Sequence, residues 1–150
     1  MKLAIASDHA GFPLKSDLIP WLVEELGLTT TDLGPSSSDS VDYPDFAGCL
    51  CRYLLEGKAE QGILICNFGI GMSMSANRFP GIRASLCLFP RMAYYARHHN
   101  DANVLVLGGG ITAPFQAREI IEVFLCEEFD GGRHGRRTGK IESVSQVDSH

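Results

Sequence analysis

Short runs of consecutive apolar residues alternate along this chain with longer stretches whose apolar residues recur every three or four positions. The short runs, Lys2–Ser7, Thr29–Leu33, Gly62–Ile65, Ile82–Cys87 and Asn103–Leu107, are bounded by Gly, Pro, Asn or Asp and predict strands. Leu14, Leu18, Leu22 and Leu26 are spaced by four and predict a helix that Pro20 should kink. Tyr43–Leu55 predicts a second helix after a polar loop. Met92, Tyr95, Ala96 and His99 share a face of a third. Ala117, Ile121, Phe124 and Leu125 mark a fourth, opened by Thr112 and Pro114.

Strand–helix alternation requires parallel strands, since each helix carries the chain back across the sheet, and both faces are then covered. Right-handed crossovers give a single-domain, Rossmann-like α/β three-layer sandwich on a five-stranded parallel sheet, spanning 1–150. The segment 131–150 stands apart as a basic C-terminal tail or helix: two glycines, a basic cluster, then a polar end.

Composition narrows the function. A net charge of −5 argues against a general nucleic-acid binder, though not against local basic pockets. No apolar run approaches the roughly 20 residues that cross a bilayer. The opening MKLAIASDHAG reads as a strand broken by Asp8 rather than a signal peptide, which predicts a cytoplasmic protein. The five cysteines, Cys49, Cys51, Cys66, Cys87 and Cys126, are odd in number and scattered, unlike a disulfide framework. Cys49 and Cys51 lack zinc spacing and a matching Cys/His pair, so no metal is expected.

The candidate chemistry falls where strands end, because ligands of such sheets bind beyond the strands' carboxyl ends. Ser7, Asp8 and His9 end the first strand. Cys66, Asn67, Phe68, Gly69, Ile70 and Gly71 end the third. Glycines let backbone N–H groups approach an oxyanion, and a helix starting near Gly71 adds positive potential. Both should favour the Cys66 thiolate. A base beside N–H donors suits proton abstraction next to a carbonyl, with the donors holding an enediolate. From spacing alone, packing is the commoner role for such a cysteine. Two other motifs fail: a low-molecular-weight phosphatase loop needs arginine where Met72 stands, and a dinucleotide fingerprint needs glycine where Met74 stands. His99 and Asn100 close the third helix, where a cationic histidine gains from the helix dipole or simply caps the turn. Arg133 and Arg137, four apart with His134 between them, suit a phosphate dianion or a solvated tail.

Taken in order, SDHAG, DYPDFA, GILICNFGIGMSMSANRFPGIRA, HNDANVLVLG and GGRHGRR resemble the ribose-5-phosphate isomerase type B family, which includes galactose-6-phosphate and allose-6-phosphate isomerases. The likeness runs from Ser7 to Arg137. It implies the fold just inferred and the interconversion of phosphorylated aldoses and ketoses without metal or cofactor. It also implies that Cys66 is the base moving a proton between C1 and C2, and that His99 is the acid that helps open the sugar ring. Asp8, His9, Tyr43 and Asn100 would contact sugar, residues 67–71 would form the oxyanion loop, and Arg133 and Arg137 would clamp phosphate around His134. Three departures put the sugar in question. Asn67 and Phe68 replace the family's Gly and Thr, Phe68 cannot make the hydrogen bond thought to assist ring opening, and Gly110 stands where a phosphate-binding arginine is frequent. A non-catalytic sugar-phosphate binder, or one subunit of a mixed isomerase assembly, is the alternative.

The topology has a further consequence. Helices run antiparallel to the strands, so His99 should end at the amino edge of the sheet while Cys66 sits at the carboxyl edge, roughly 17 Å away. A sugar phosphate cannot bridge that span within one chain. His99 is therefore expected to meet Cys66 of a second subunit in a homodimer with shared sites, or in a tetramer.

Overall fold

In the computed structural model, which describes residues 1–144, the alternation becomes β1 (Lys2–Ser7), α1 (Phe12–Pro20), β2 (Thr29–Asp32), α2 (Tyr43–Leu55), β3 (Gln61–Cys66), α3 (Ile70–Ala76), β4 (Ala84–Leu86), α4 (Pro90–Asn100), β5 (Val104–Gly108), α5 (Pro114–Cys126) and α6 (Arg133–Ser143). The sheet has five strands in the order β2-β1-β3-β5-β4, and every neighbouring pair is parallel. The strand order reverses between β1 and β3. The crevice beyond their carboxyl ends is thus the switch point where open α/β sheets take ligands.

Side-chain alternation divides the core into two layers. Leu3, Ile5, Ile63, Ile65, Leu105 and Leu107 face α1, α4 and α5, where Leu18, Ala93, Ile121 and Phe124 are fully buried. Ala4, Ala6, Leu64, Cys66, Val104 and Val106 face α2 and α3, meeting Leu50, Cys51, Met72 and Ala76. Both faces being covered, β3 and β5 are buried at every position.

Three elements add detail to the expected pattern. At Pro20 the helix widens. Proline has no N–H to continue the α ladder, and Trp21–Glu25 follow as a π-helical turn closed by Leu26 N–H donating to Trp21 O at 3.1 Å. Leu18 and Leu22 stay buried on either side. The fourth strand is three residues rather than Ile82–Cys87. Arg83 N–H is taken by the Asn103 side chain at 2.8 Å, so a side chain replaces the first rung of this edge strand. The basic tail is a helix through Ser143, with residues 145–150 of the predicted 131–150 segment outside the described residues. Among the described residues no helix is long and apolar enough to cross a membrane.

Candidate active site

The first cluster of candidate residues forms at the switch point. Cys66 is the last residue of β3, 6 % exposed, paired in register with Gly108 of β5. Its Sγ accepts the Gly69 N–H at 3.2 Å. Gly69 makes that contact because its backbone is left-handed (φ 78°), which turns the chain into α3 and aims the amide back at the sulfur. Asp8, 5 % exposed, leaves β1 alongside: its N–H donates to Ile65 O at 3.1 Å, and its Oδ1 accepts the Gly11 N–H at 2.9 Å. Asp8, Tyr43, Cys66 and residues 67, 68, 70 and 71 line one cavity of about 290 Å³.

Gly71 also has a packing role. A Cβ there would come within 2.5 Å of the Tyr43 ring, so glycine lets α3 pack under that ring as a wall of the cavity. Phe68, Ile70 and Met74 are about half exposed or more and form an apolar rim. His9 stands one step back. Its Nδ1 meets the Val41 backbone, 3.2 Å from N and 3.1 Å from O, and ties the β1 exit to the loop that delivers Tyr43.

The second cluster lies at the other edge. The end of α4 is stitched to the amino end of β5: Ala102 N–H donates to Ala96 O at 3.0 Å, and Asn103 N–H to Arg83 O at 3.0 Å. The end residues of β5 lie about 13 Å apart, so this edge is well removed from Gly108 and Cys66. Here His99 stacks on His134, with ring centroids 4.1 Å apart and planes 9° from parallel. Arg133 and Arg137 extend from α6 into solvent, and no hydrogen bond or ion pair holds either guanidinium among the described residues. Burial of His134, together with the positive charges of His99, Arg133 and Arg137, lowers its pKa below the usual histidine value. Asn100 lines a separate hollow of about 410 Å³ between β4 and α4, with Ser85, Phe89 and Tyr95. The Cys66 cavity contains none of His99, Asn100, Arg133, His134 or Arg137.

The sequence pattern did not reveal the role of His98. Its Nε2 lies 2.6 Å from Glu127 and its Nδ1 2.5 Å from Asp130, and these two carboxylates raise its pKa. They lie about 30 residues downstream, beyond α5, where no local spacing points to them. Adjacent histidines thus divide the work: His98 anchors the α4 end, and His99 faces α6. Ligand atoms of His99, Asp130 and His134 fall within 4.8 Å of one another. A metal must lie close to the plane of each ligating ring, and two parallel planes do not meet, so this stacked pair would have to rotate to hold one.

A parallel sheet with a thiol, a carboxylate and the Gly69 amide around a cavity at its switch point defines a small-molecule site of the α/β class. The Ribose/Galactose Isomerase family model matches residues 3–141. The chain is 39 % identical to ribose-5-phosphate isomerase B of Escherichia coli over 145 residues, 97 % of each protein. It is 37 % identical to the D-erythrulose-4-phosphate isomerase of Pectobacterium atrosepticum, over 100 % of this chain and 99 % of that one. The crystal structure of a ribose 5-phosphate isomerase from Thermotoga maritima superimposes with a TM-score of 0.93 at 50 % identity, covering 95 % of this chain and 98 % of that one. The chain belongs to the ribose/galactose isomerase family and is a sugar-phosphate isomerase of the ribose-5-phosphate isomerase B type.

Proposed function

We propose that this protein interconverts the aldose and ketose forms of a small phosphorylated sugar, ribose 5-phosphate and ribulose 5-phosphate or a related pentose or hexose phosphate, through a cis-enediolate. The observation that carries the reading is Cys66 Sγ on the wall of a 290 Å³ cavity with the Gly69 amide 3.2 Å away. The Cys66 thiolate removes the proton from the carbon next to the carbonyl and returns it to the former carbonyl carbon, while a proton moves in the same direction from the neighbouring hydroxyl to the former carbonyl oxygen. Atoms and electrons balance without an outside oxidant. Amides of residues 67–71 stabilise the negative oxygen as it develops. Asp8 and Tyr43 contact the sugar.

The remaining parts come from a second copy. His99 opens the sugar ring, Arg133 and Arg137 bind phosphate, and Asn100 and His134 complete that half. Their place at the opposite sheet edge supports a homodimer in which each site takes Cys66 from one subunit and His99 from the other. The activities named for these two relatives cover four- and five-carbon sugar phosphates, which supports a five-carbon substrate as the first to assay.

The test runs in heavy water. Product should carry solvent deuterium at C1 or C2, whereas product without deuterium indicates direct hydride transfer and refutes the enediolate. Mixing Cys66→Ala with His99→Asn chains, each inactive alone, should restore one working site per mixed dimer. Absence of recovery would refute site sharing.

A further inference from the structure

Gly110 is not among the glycines with positive φ, so its backbone does not require glycine. What requires it is Asn67. A Cβ at residue 110 would overlap Asn67 Oδ1, with Asn67 Cγ at 3.0 Å and its carbonyl oxygen at 3.1 Å. The loops after β3 and β5 are fastened there: Gly109 N–H donates to Cys66 O at 2.7 Å, and Gly110 N–H donates to Asn67 O at 2.9 Å. The Asn67 carboxamide therefore occupies the space that a side chain at residue 110 would claim. It is exposed, lines the Cys66 cavity, and makes no hydrogen bond to the protein among the described residues. A donor and an acceptor next to the reactive sulfur are thus free for a ligand.

The charge of the cavity says which part of the ligand they meet. Among the described residues its sole ionisable wall besides Cys66 and Tyr43 is Asp8, an acid, and no cation lines it. A phosphate dianion would find no partner there and one repulsive carboxylate. We infer that the Asn67 carboxamide, given room by the missing side chain at Gly110, is a specificity-determining group that hydrogen-bonds a neutral sugar oxygen beside Cys66. It would therefore select the hydroxylated end of the substrate rather than its phosphate. This rests on the sugar-phosphate reading above, and it makes residues 67 and 110 a single unit.

The experiment measures calorimetric binding of a five-carbon alditol phosphate, which cannot isomerise, and of inorganic phosphate. It compares the wild type with Asn67→Ala, Gly110→Ala and the double variant, with thermal melts to confirm folding. Asn67→Ala should weaken the alditol phosphate about three- to tenfold, the worth of a neutral hydrogen bond or two. Gly110→Ala should do the same by expelling the carboxamide, and the double variant should be no worse than either alone. Inorganic phosphate should bind all four equally. Unchanged alditol phosphate binding in Asn67→Ala, losses that multiply in the double variant, or a parallel loss of inorganic phosphate would each overturn the inference, the last by placing phosphate at Asn67. A wild type that fails to bind the alditol phosphate overturns it as well. Turnover is scored separately: a wild type that binds with the expected pattern but never isomerises refutes the catalytic reading and leaves this inference standing.

Discussion

The two ends of the sheet carry chemistry in different materials. At the carboxyl edge, the reactive group sits on a strand buried at every position, and its nearest polar partner is a backbone amide fixed by one left-handed glycine. At the amino edge, the candidate groups are side chains on helix ends, two rings stacked face to face and two arginines in solvent. Backbone dipoles cannot titrate, and a buried strand scarcely moves. That suits an edge which must present donors in one geometry to a short-lived negative oxygen. Side chains on helix ends can adjust and change charge, which suits ring opening and phosphate capture. The difference teaches that, on the proposed roles, proton abstraction would rest on the fold itself and phosphate recognition on replaceable side chains.

Breaking the rigid edge should cost most. Cys66→Ala removes the proposed base and should lower kcat by about 10²–10⁴-fold, read by steady-state assay and by loss of deuterium incorporation, with the melting temperature nearly unchanged. An equally active variant would show that the sulfur is packing.

Gly69→Ala attacks the same edge through the backbone. The left-handed residue and a Cβ at 2.5 Å from a Leu86 methyl should together cost about 1–3 kcal/mol of stability. The same change should remove the amide from the sulfur. Gly71→Ala is the control, since its obstacle is the half-exposed Tyr43 ring, which can swing away. It should lose substrate affinity while melting close to the wild type. Chemical denaturation beside KM measurements separates the two.

This contrast also governs what could be read from the chain. The strands, the helix Tyr43–Leu55 and the parallel sheet were legible because each is a local period, and the Cys66 loop because glycines mark a turn. Strand ends were legible only to a residue or two. The short fourth strand escaped because its first rung is the side chain of Asn103, twenty positions on. Gly71 was legible as a glycine but not as the floor beneath Tyr43. Gly110 showed as an odd residue, whereas its steric link to Asn67 needed two loops in space. His98 was visible only as a neighbour of His99, since its carboxylates arrive from beyond α5. Short-range periodicity, in short, describes the carboxyl edge better than an edge assembled from helix ends.

On the adjustable edge, Arg137→Ala should raise KM for a sugar phosphate about ten- to a hundredfold, the loss of one charge-assisted contact. The stability of the fold should not change, because the guanidinium extends into solvent. A fall in kcat with unchanged KM would place Arg137 outside phosphate binding.

The smallest effect is the most specific to the amino edge, because its two structural histidines respond to pH with opposite sign. His98 gains protonation on folding, driven by Glu127 and then Asp130. Its contribution is fully present below the ordinary histidine pKa of about 6.5 and disappears as pH rises through its raised folded value. His134 loses protonation on folding, through burial and through its cationic neighbours. Stability from its neutral form is present above about pH 6.5 and disappears as pH falls toward its lowered folded value. In the wild type the two contributions change on opposite sides of about pH 6.5, so together they favour stability near that pH. His98→Asn should therefore show a melting-temperature deficit that is larger at pH 5.5 than at pH 8. The deficit of His134→Asn should be smaller at pH 5.5 than at pH 8. Because Glu127 and Asp130 are partly solvent-exposed, high salt should flatten the His98 difference. The part of the His134 effect due to burial should persist. Two variants whose deficits move in the same direction with pH would show that the adjacent histidines of α4 and the ring beneath them do not divide charge as their contacts indicate.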